Sequence, residues 1–224
     1  MRRMQRLARW HIWLGWIVAL PILLWLVSGL FMAARPLEEV RGENLRRAPV
    51  PVDATGLVAP RATGRIAKIA LIDEAGRAVW IVTDAQKSVR RFDARSGDML
   101  PPVDEAEARR IVLAAYAGSE KLEYLREFAE RDAPLELRRA RPSWRATFSD
   151  DTHFYIDADS GELLAVRTRW WRTYDFLWGL HIMDPGEREN AHNPWVWTLG
   201  TLSLVMSLFG SILLFRRRRR RPAA

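Results

Sequence analysis

Two long apolar runs bracket a polar middle. The first, Trp10 to Ala34, holds no charged residue and only His11 and Ser28 as strongly polar side chains, enough for a helix to cross a hydrocarbon core of roughly 30 Å. The second, Trp195 to Phe215, is also uncharged. Pro21 removes one backbone donor from the first run and predicts a kink that neighbouring groups must re-satisfy. The first run is too long for the roughly 7–15 apolar residues of a cleavable secretory signal, so it reads as a retained anchor. Trp10, Trp13, Trp195 and Trp197 suit interfacial belts, whereas Trp16 and Trp25 lie deeper and are expected to pack against a partner helix. Gly200 and Gly210, with Ser203, Ser207 and Ser211, place small residues at helical spacing, which predicts close packing on the first span or on a second copy.

The middle of the chain carries the shorter periods of strands and one capped helix. Ala78–Thr83 and Ser143–Phe148 are rich in aromatic and β-branched residues; polar turns follow, and then Val89–Phe92 and His153–Ile156. These form an internal repeat. Trp80 and the segment Asp93-Ala94-Arg95-Ser96-Gly97-Asp98 recur as Trp144 and Asp157-Ala158-Asp159-Ser160-Gly161-Glu162, at a constant offset of 64 residues. Asp104 to Ala117 reads as a helix opened by a D-x-x-E capping pattern and ended at Gly118. Lys121–Phe128, Ala165–Thr168 and the chain from Leu100 onward read as further strands. Pro36–Leu45 reads as a short helix, and Pro49–Pro60 as an extended linker. Arg169–Met183 predicts an interfacial helix with Trp170, Tyr174, Leu177, Trp178 and His181 on one face and Arg169 and Arg172 reaching headgroups.

The fold expected is therefore an α+β domain of tandem units, an antiparallel sheet with a helix on one face, flanked by two transmembrane helices. Its divisions are 1–34 (basic tail and first span), 35–168 (the α+β domain), 169–194 (an aromatic interfacial segment) and 195–224 (second span and Arg-rich tail).

Charge then orients the chain. Arg2, Arg3, Arg6 and Arg9 precede the first span, and Arg216 to Arg221 follow the second, with no acid in either tail. Residues 35–194 carry 25 Lys+Arg against 27 Asp+Glu, so the net +8 resides in the tails. Arginines are retained on the cytoplasmic side, which predicts both termini inside and the middle exported. The same distribution removes the nucleic-acid partner that a strongly basic chain would otherwise invite. The sequence has no cysteine, so a thiolate nucleophile is excluded and the exported domain must be stabilised by its own core. No H-E-x-x-H spacing and no glycine-rich phosphate loop is present. Asp150, Asp151, Asp157 and Asp159 lie near His153, where turn chemistry explains them more simply than a calcium site.

The tryptophan-spaced D-A-x-S-G-[DE]-x-L units, the capped helix before the second copy, the R-W-H-I-W-L-G opening of the first span (Arg9 to Gly15) and the L-H-x-x-D element after Gly179 resemble the PepSY-associated transmembrane proteins of bacteria. The resemblance covers nearly the whole chain. It implies a PepSY module held on the periplasmic side of the inner membrane, acting in binding or regulation on an unidentified protein or ligand, with no catalysis of its own. Larger four-span relatives resemble haem-containing reductases of ferric siderophores, which implies the alternative of a haem-b-binding component of transmembrane electron transfer in iron uptake.

Haem would require histidine. A membrane b-type haem takes two imidazoles facing each other at one depth. The candidate ligands are His11, at the start of the first span, and His181, beside the second. The predicted topology sets them at opposite membrane faces, too far apart for one iron, so a haem would draw His11 from each chain of a homodimer. The competing expectation is structural: His11 an interfacial polar residue, His153 exposed on a strand, His181 and His192 in loops near headgroups.

Overall fold

The computed structural model describes residues 2–218, with side chains for residues 4–215; Arg216 to Arg221, as side chains, lie outside the described residues. The chain divides into two compact units, one formed by residues 1–36 and 173–224, the other by Leu37–Arg172.

The first unit is built on the two apolar runs. Helix α1, Arg2–Ala33, continues through Pro21, and a serine hydroxyl two turns further on, Ser28, donates to the Leu24 carbonyl at 2.6 Å. The other long helix is α5, Pro194–Arg218. Its start is specified locally: Pro194 occupies the first turn, where no amide donor is needed, and the Asn193 side chain accepts from the Trp195 and Val196 amides, both at 3.1 Å. Within α1 and α5, residues 4–33 and 194–215 are long and apolar enough to cross a membrane. The two helices pack together through glycine. Gly15 faces Met206, Gly200 faces Trp25 and Gly210 faces His11, so the small-residue positions of α5 meet α1 of the same chain. Trp25 is packed as expected; Trp16 is not, since it is 77% exposed and turned away from α5. The serines of α5 spend their hydroxyls on carbonyls one turn back, Ser203 on Leu199, Ser207 on Ser203 and Ser211 on Ser207.

The second unit begins with a four-residue helix, α2 (Leu37–Val40), and a short 3₁₀ turn, Glu43–Leu45. Two antiparallel sheets follow, in place of the single sheet expected. The first has the order β1 (Ile66–Glu74), β2 (Arg77–Asp84), β3 (Val89–Asp93). The second has the order β4 (Leu122–Phe128), β5 (Ser143–Phe148), β6 (His153–Asp157), β7 (Leu163–Arg167). Helix α3, Glu105–Ala115, lies between β3 and β4 in the chain, capped by Asp104, whose carboxylate accepts from the Glu107 amide at 2.8 Å. Its buried face, Ala108, Ile111 and Val112, joins Ala146, Phe148, Phe154, Ile156 and Val166 of the second sheet in the main core. Tyr116 closes that core, its ring 4.1 Å from Phe148 and edge-on to Phe154. On the opposite face of this sheet, Leu137 covers Tyr155 and Ala165. Helix α4, Arg169–His181, follows β7, and the division between the two units falls within it.

Strand β1 lies outside the strands that the sequence pattern predicts. Its pattern Ile66-Ala67-Lys68-Ile69-Ala70-Leu71-Ile72 runs into a two-residue hairpin turn in which both Ala75 (φ 53°) and Gly76 (φ 87°) are left-handed. The expected strand from Leu100 is absent, and only Met99 bridges to Phe92. Pro101 and Pro102 follow at once; neither can donate to a ladder, so the chain leaves the sheet there.

The 64-residue repeat holds at the level of hydrogen bonds. Trp80 pairs with Phe92, and Trp144 with Ile156. The carboxylates of Asp93 and Asp157 each accept two amides of the turn that follows, from Arg95 and Ser96 and from Asp159 and Ser160. Arg77 pairs with Asp93 at 2.9 Å, and Arg141 with Asp157 at 2.8 Å. Gly97 and Gly161 close the turns at φ 77° and 71°, a conformation that costs a residue with a Cβ about 1–2 kcal/mol. Each repeat tryptophan donates its indole N–H to a backbone carbonyl at 2.8 Å, but to different loops, Val58 and Val103.

Candidate functional site: a cleft between the two sheets

Within the second unit a cleft of about 830 Å³ opens between the sheets. Ile72 of β1, Ile111 and Ala115 of α3 and Leu163 of β7 form an apolar floor, and the extended segment Pro49–Val52 forms a wall. That segment is placed by its start: the Arg47 amide donates to the Ala115 carbonyl at 2.8 Å, and Arg46 bridges to Tyr116. Burial pushes the Arg46 guanidinium pKa down, against the opposing pull of Glu43.

A buried ion cluster closes one end. Arg91 is 1% exposed and Glu74 is 2% exposed. Arg91 binds Glu74 at 2.6 Å, Glu107 at 2.7 Å and the Pro101 carbonyl at 2.7 Å, so one guanidinium joins β1, β3, the chain after β3 and α3. Burial raises the Glu74 pKa in spite of its bond to Arg91, and the neighbouring Glu107 adds to the shift. Burial works against the Arg91 charge, but its bonds to Glu107 and Glu74 outweigh it, and the Arg91 pKa is raised. Gly161 lies against this cluster; a Cβ there would overlap Glu74 Oε1. The glycine of the second repeat thus admits the carboxylate of the first sheet.

The same cleft borders an open sheet edge. Glu74 and Arg77 flank a two-residue turn and form its hydrogen-bonded pair. By alternation, the N–H and C=O groups of Ile69, Leu71 and Asp73 point away from β2. β1 is an edge strand, so this row is offered outward beside an apolar floor. Together these supply what an extended peptide needs: main-chain partners and pockets for alternate side chains.

A second polar cluster surrounds His153, which is 8% exposed and not on the surface as the sequence reading had it. The loop between β4 and β5, with 3₁₀ turns at Glu130–Asp132 and Leu135–Leu137, folds over the strand face and brings Glu136 to it. Glu136 accepts from His153 at 2.5 Å and from the Tyr155 hydroxyl, and pairs with Arg172 at 3.0 Å. Burial alone would raise the Glu136 pKa; the bonds from His153 and Tyr155, aided by the Arg172 charge, hold it down at about 2. Burial and the bond to Glu136 push the Tyr155 phenol up. Arg172 also reaches Asp151 at 3.0 Å. Its predicted role as a headgroup anchor is therefore corrected: Arg172 is held by acids on the loops that join β4 to β5 and β5 to β6. The unbroken buried run His153–Asp157 was the available signal, since Phe154, Tyr155 and Ile156 leave no outward-facing polar alternation.

The histidines proposed as haem ligands are each used in helix packing. His11 Nδ1 donates to the Met206 carbonyl at 3.1 Å, and its ring lies on Gly210, where a Cβ would stand 3.0 Å from Cε1. His181 is the last residue of α4, within the helix predicted over Arg169–Met183 and not in a loop. Its Nδ1 pairs with Ser28 Oγ at 2.9 Å, its carbonyl accepts from the Trp25 indole at 2.6 Å, and its ring lies beside Gly29. His11 and Ser28 stand seventeen positions apart on α1, about 26 Å at 1.5 Å per residue. As packed, the His11 ring lies against the facing helix, and a Cβ on Gly210 would stand 3.5 Å from Nε2. His192 is exposed, its amide bonded to Asn190. Among the described residues no group of three or more His, Asp or Glu is arranged to hold a metal, and Asp150 and Asp157 accept backbone amides of their own turns.

No curated protein and no solved structure matches this chain. The family model described as the PepSY-associated TM region matches residues 8–224. With nearly the whole chain inside that match, and two helices apolar and long enough to cross a membrane, this is a membrane-associated protein of the PepSY-associated transmembrane family.

Proposed function

We propose that the protein is a two-pass module of the bacterial inner membrane with both termini in the cytoplasm, whose second unit binds an extended apolar segment of a periplasmic partner and carries out no catalysis of its own. The arginine-flanked spans support the topology. The observation that carries the binding reading is the cleft itself: an apolar floor beside the open edge of β1, with its polar end closed by the Glu74–Arg91–Glu107 cluster. A lone native thiol would blur the test, and the chain has none. Single cysteines at Val50, Tyr124 and Gln5, treated from outside in cells with a permeabilised outer membrane, should react with an impermeant maleimide at the first two positions only. If the maleimide carries a photocrosslinker, illumination should give a discrete adduct from Val50, on the cleft wall, and none from Tyr124, on β4. Labelling at Gln5 would refute the topology; labelling at Val50 without an adduct would refute the binding role.

The second reading, a haem-b-binding component of a ferric-siderophore reductase system, is favoured by one feature. The bond to the Met206 carbonyl places the proton of His11 on Nδ1 and leaves Nε2 as the lone-pair nitrogen, the tautomer a metal ligand uses. Haem binding there would require His11 to turn away from Gly210. We expect a featureless reduced-minus-oxidised visible spectrum from protein expressed with ample haem; α and Soret bands that vanish in His11→Ala would establish the reductase reading instead.

A further inference from the structure

We propose that the first unit carries a defined binding site for one anionic phospholipid, at the arginine-bearing end of the α1–α5 pair. This rests on the membrane reading and goes beyond it, because it names a site and a ligand where general attraction to headgroups needs neither. A groove of about 510 Å³ runs between the helices, floored by Leu14, Ile17, Val205 and Phe209. Arg6, Trp10 and Trp13 line its upper part, and a second hollow shared by Arg6, Arg9, Trp10 and Trp13 continues from it.

Three observations select the occupant. First, the charge is of one sign: no acid occurs before Glu38, so two arginines at the mouth have no acidic neighbour on their own helix and match a phosphodiester. Guanidinium forks suit phosphate oxygens. Second, the groove has the length of one leaflet. Arg6 to Ile17 spans eleven positions on α1, about 16 Å, roughly half of a 30 Å core; a second transmembrane helix would call for a concavity running the whole span. Third, polarity changes along the groove in the order a lipid presents it, with cations at the mouth, the indoles of Trp10 and Trp13 at the level of the headgroup and glycerol, and aliphatic and phenyl side chains below. Trp10 and Trp13 are 67% and 70% exposed and so remain available to a bound lipid.

The test is native mass spectrometry of the full chain in detergent, titrated with phosphatidylglycerol and phosphatidylcholine of identical acyl chains. One phosphatidylglycerol per chain should be retained roughly ten-fold better than phosphatidylcholine, taking each arginine contact as worth a several-fold factor. Arg6→Gln with Arg9→Gln should bring the two lipids to near equality. Val205→Trp, which fills the floor and leaves the arginines in place, should lower retention of both. Arg216→Gln with Arg217→Gln should leave the preference intact; an equal fall in that variant would show that any basic cluster suffices and would overturn the site. Equal retention of the two lipids by the unaltered protein would overturn it as well, and so would a doubled mass without lipid, which would assign the groove to a second copy. Helical circular dichroism of each variant must match that of the parent. Recovery of folded protein in buffer without detergent would be a failure of the membrane reading, a result separate from all of these.

Discussion

Arg91→Met is expected to destabilise the second unit by about 3–5 kcal/mol at neutral pH, the usual consequence of removing one partner from a buried ion cluster. The substitution keeps most of the side-chain volume and removes the cation that Glu74 and Glu107 share at 2.6 and 2.7 Å. Glu74 would then be left at 2% exposure with Arg110, 3.9 Å away, as its nearest cation among the described residues. Its pKa is already raised by burial, and it would rise further. A carboxyl whose folded pKa exceeds its unfolded value binds its proton more tightly in the folded state. The stability it contributes is therefore present at low pH and is lost as pH rises above the ordinary value of 4.5. The deficit of Arg91→Met should accordingly be smaller near pH 5 than near pH 8. Adding Glu74→Gln should recover part of it, since the uncompensated charge goes while the shape stays. Thermal unfolding of the full chain in detergent, followed by tryptophan fluorescence, measures both effects. A melting temperature unchanged at pH 8 would show that the cluster contributes nothing to holding the two sheets and α3 together.

Glu136→Ala is expected to cost about 3 kcal/mol at pH 7. The carboxyl is held at about 2 against an ordinary 4.5, and each pH unit of such a shift corresponds to about 1.4 kcal/mol. At 17% side-chain exposure, solvent screening reduces this only modestly. Here the sign is the reverse of that for Glu74. A depressed folded pKa contributes stability that is complete above the unfolded value and is lost as pH falls from about 4.5 to about 2. The parent should therefore lose stability steeply across that window, and the variant should lose less. Tyr155 gives an independent readout, because its phenol donates to Glu136 and is buried. Alkaline titration by ultraviolet absorbance should find one tyrosine ionising at lower pH in the variant than in the parent. A parent whose acid transition matches that of Glu136→Ala would refute this assignment.

Much of the architecture was legible because it is written in near neighbours. The apolar lengths of α1 and α5 follow from hydropathy alone. The Asp104 cap and the aspartate-serine-glycine turns each depend on groups within a few residues. The repeat was legible for the same reason: each copy solves the same local problem with the same residues. Strand β1 was missed because its turn uses an alanine in a left-handed conformation, where turn chemistry would lead one to look for asparagine, aspartate or glycine. The candidate site fared worse. The cleft is made of segments from β1, α3, β7 and the stretch before β1, and no periodicity in any one of them announces the others.

The sequence by itself determined that the chain carries two runs long and apolar enough to cross a membrane, that its excess positive charge lies at its ends, and that a repeated strand-turn-strand unit with one capped helix fills the middle. Those properties are sums over adjacent residues: hydrophobic length, charge and hydrogen bonds that close within a turn. Only the tertiary structure decided that two sheets form instead of one, that Gly161 receives Glu74, that His153 is buried under Glu136, that Arg172 turns to acids, and that His11 and His181 serve helix contacts. Each of these joins residues far apart in the chain, as with Arg172 and Glu136 or Trp25 and His181. Each also depends on desolvation, which is set by what other segments cover and has no local signature in the order of the amino acids.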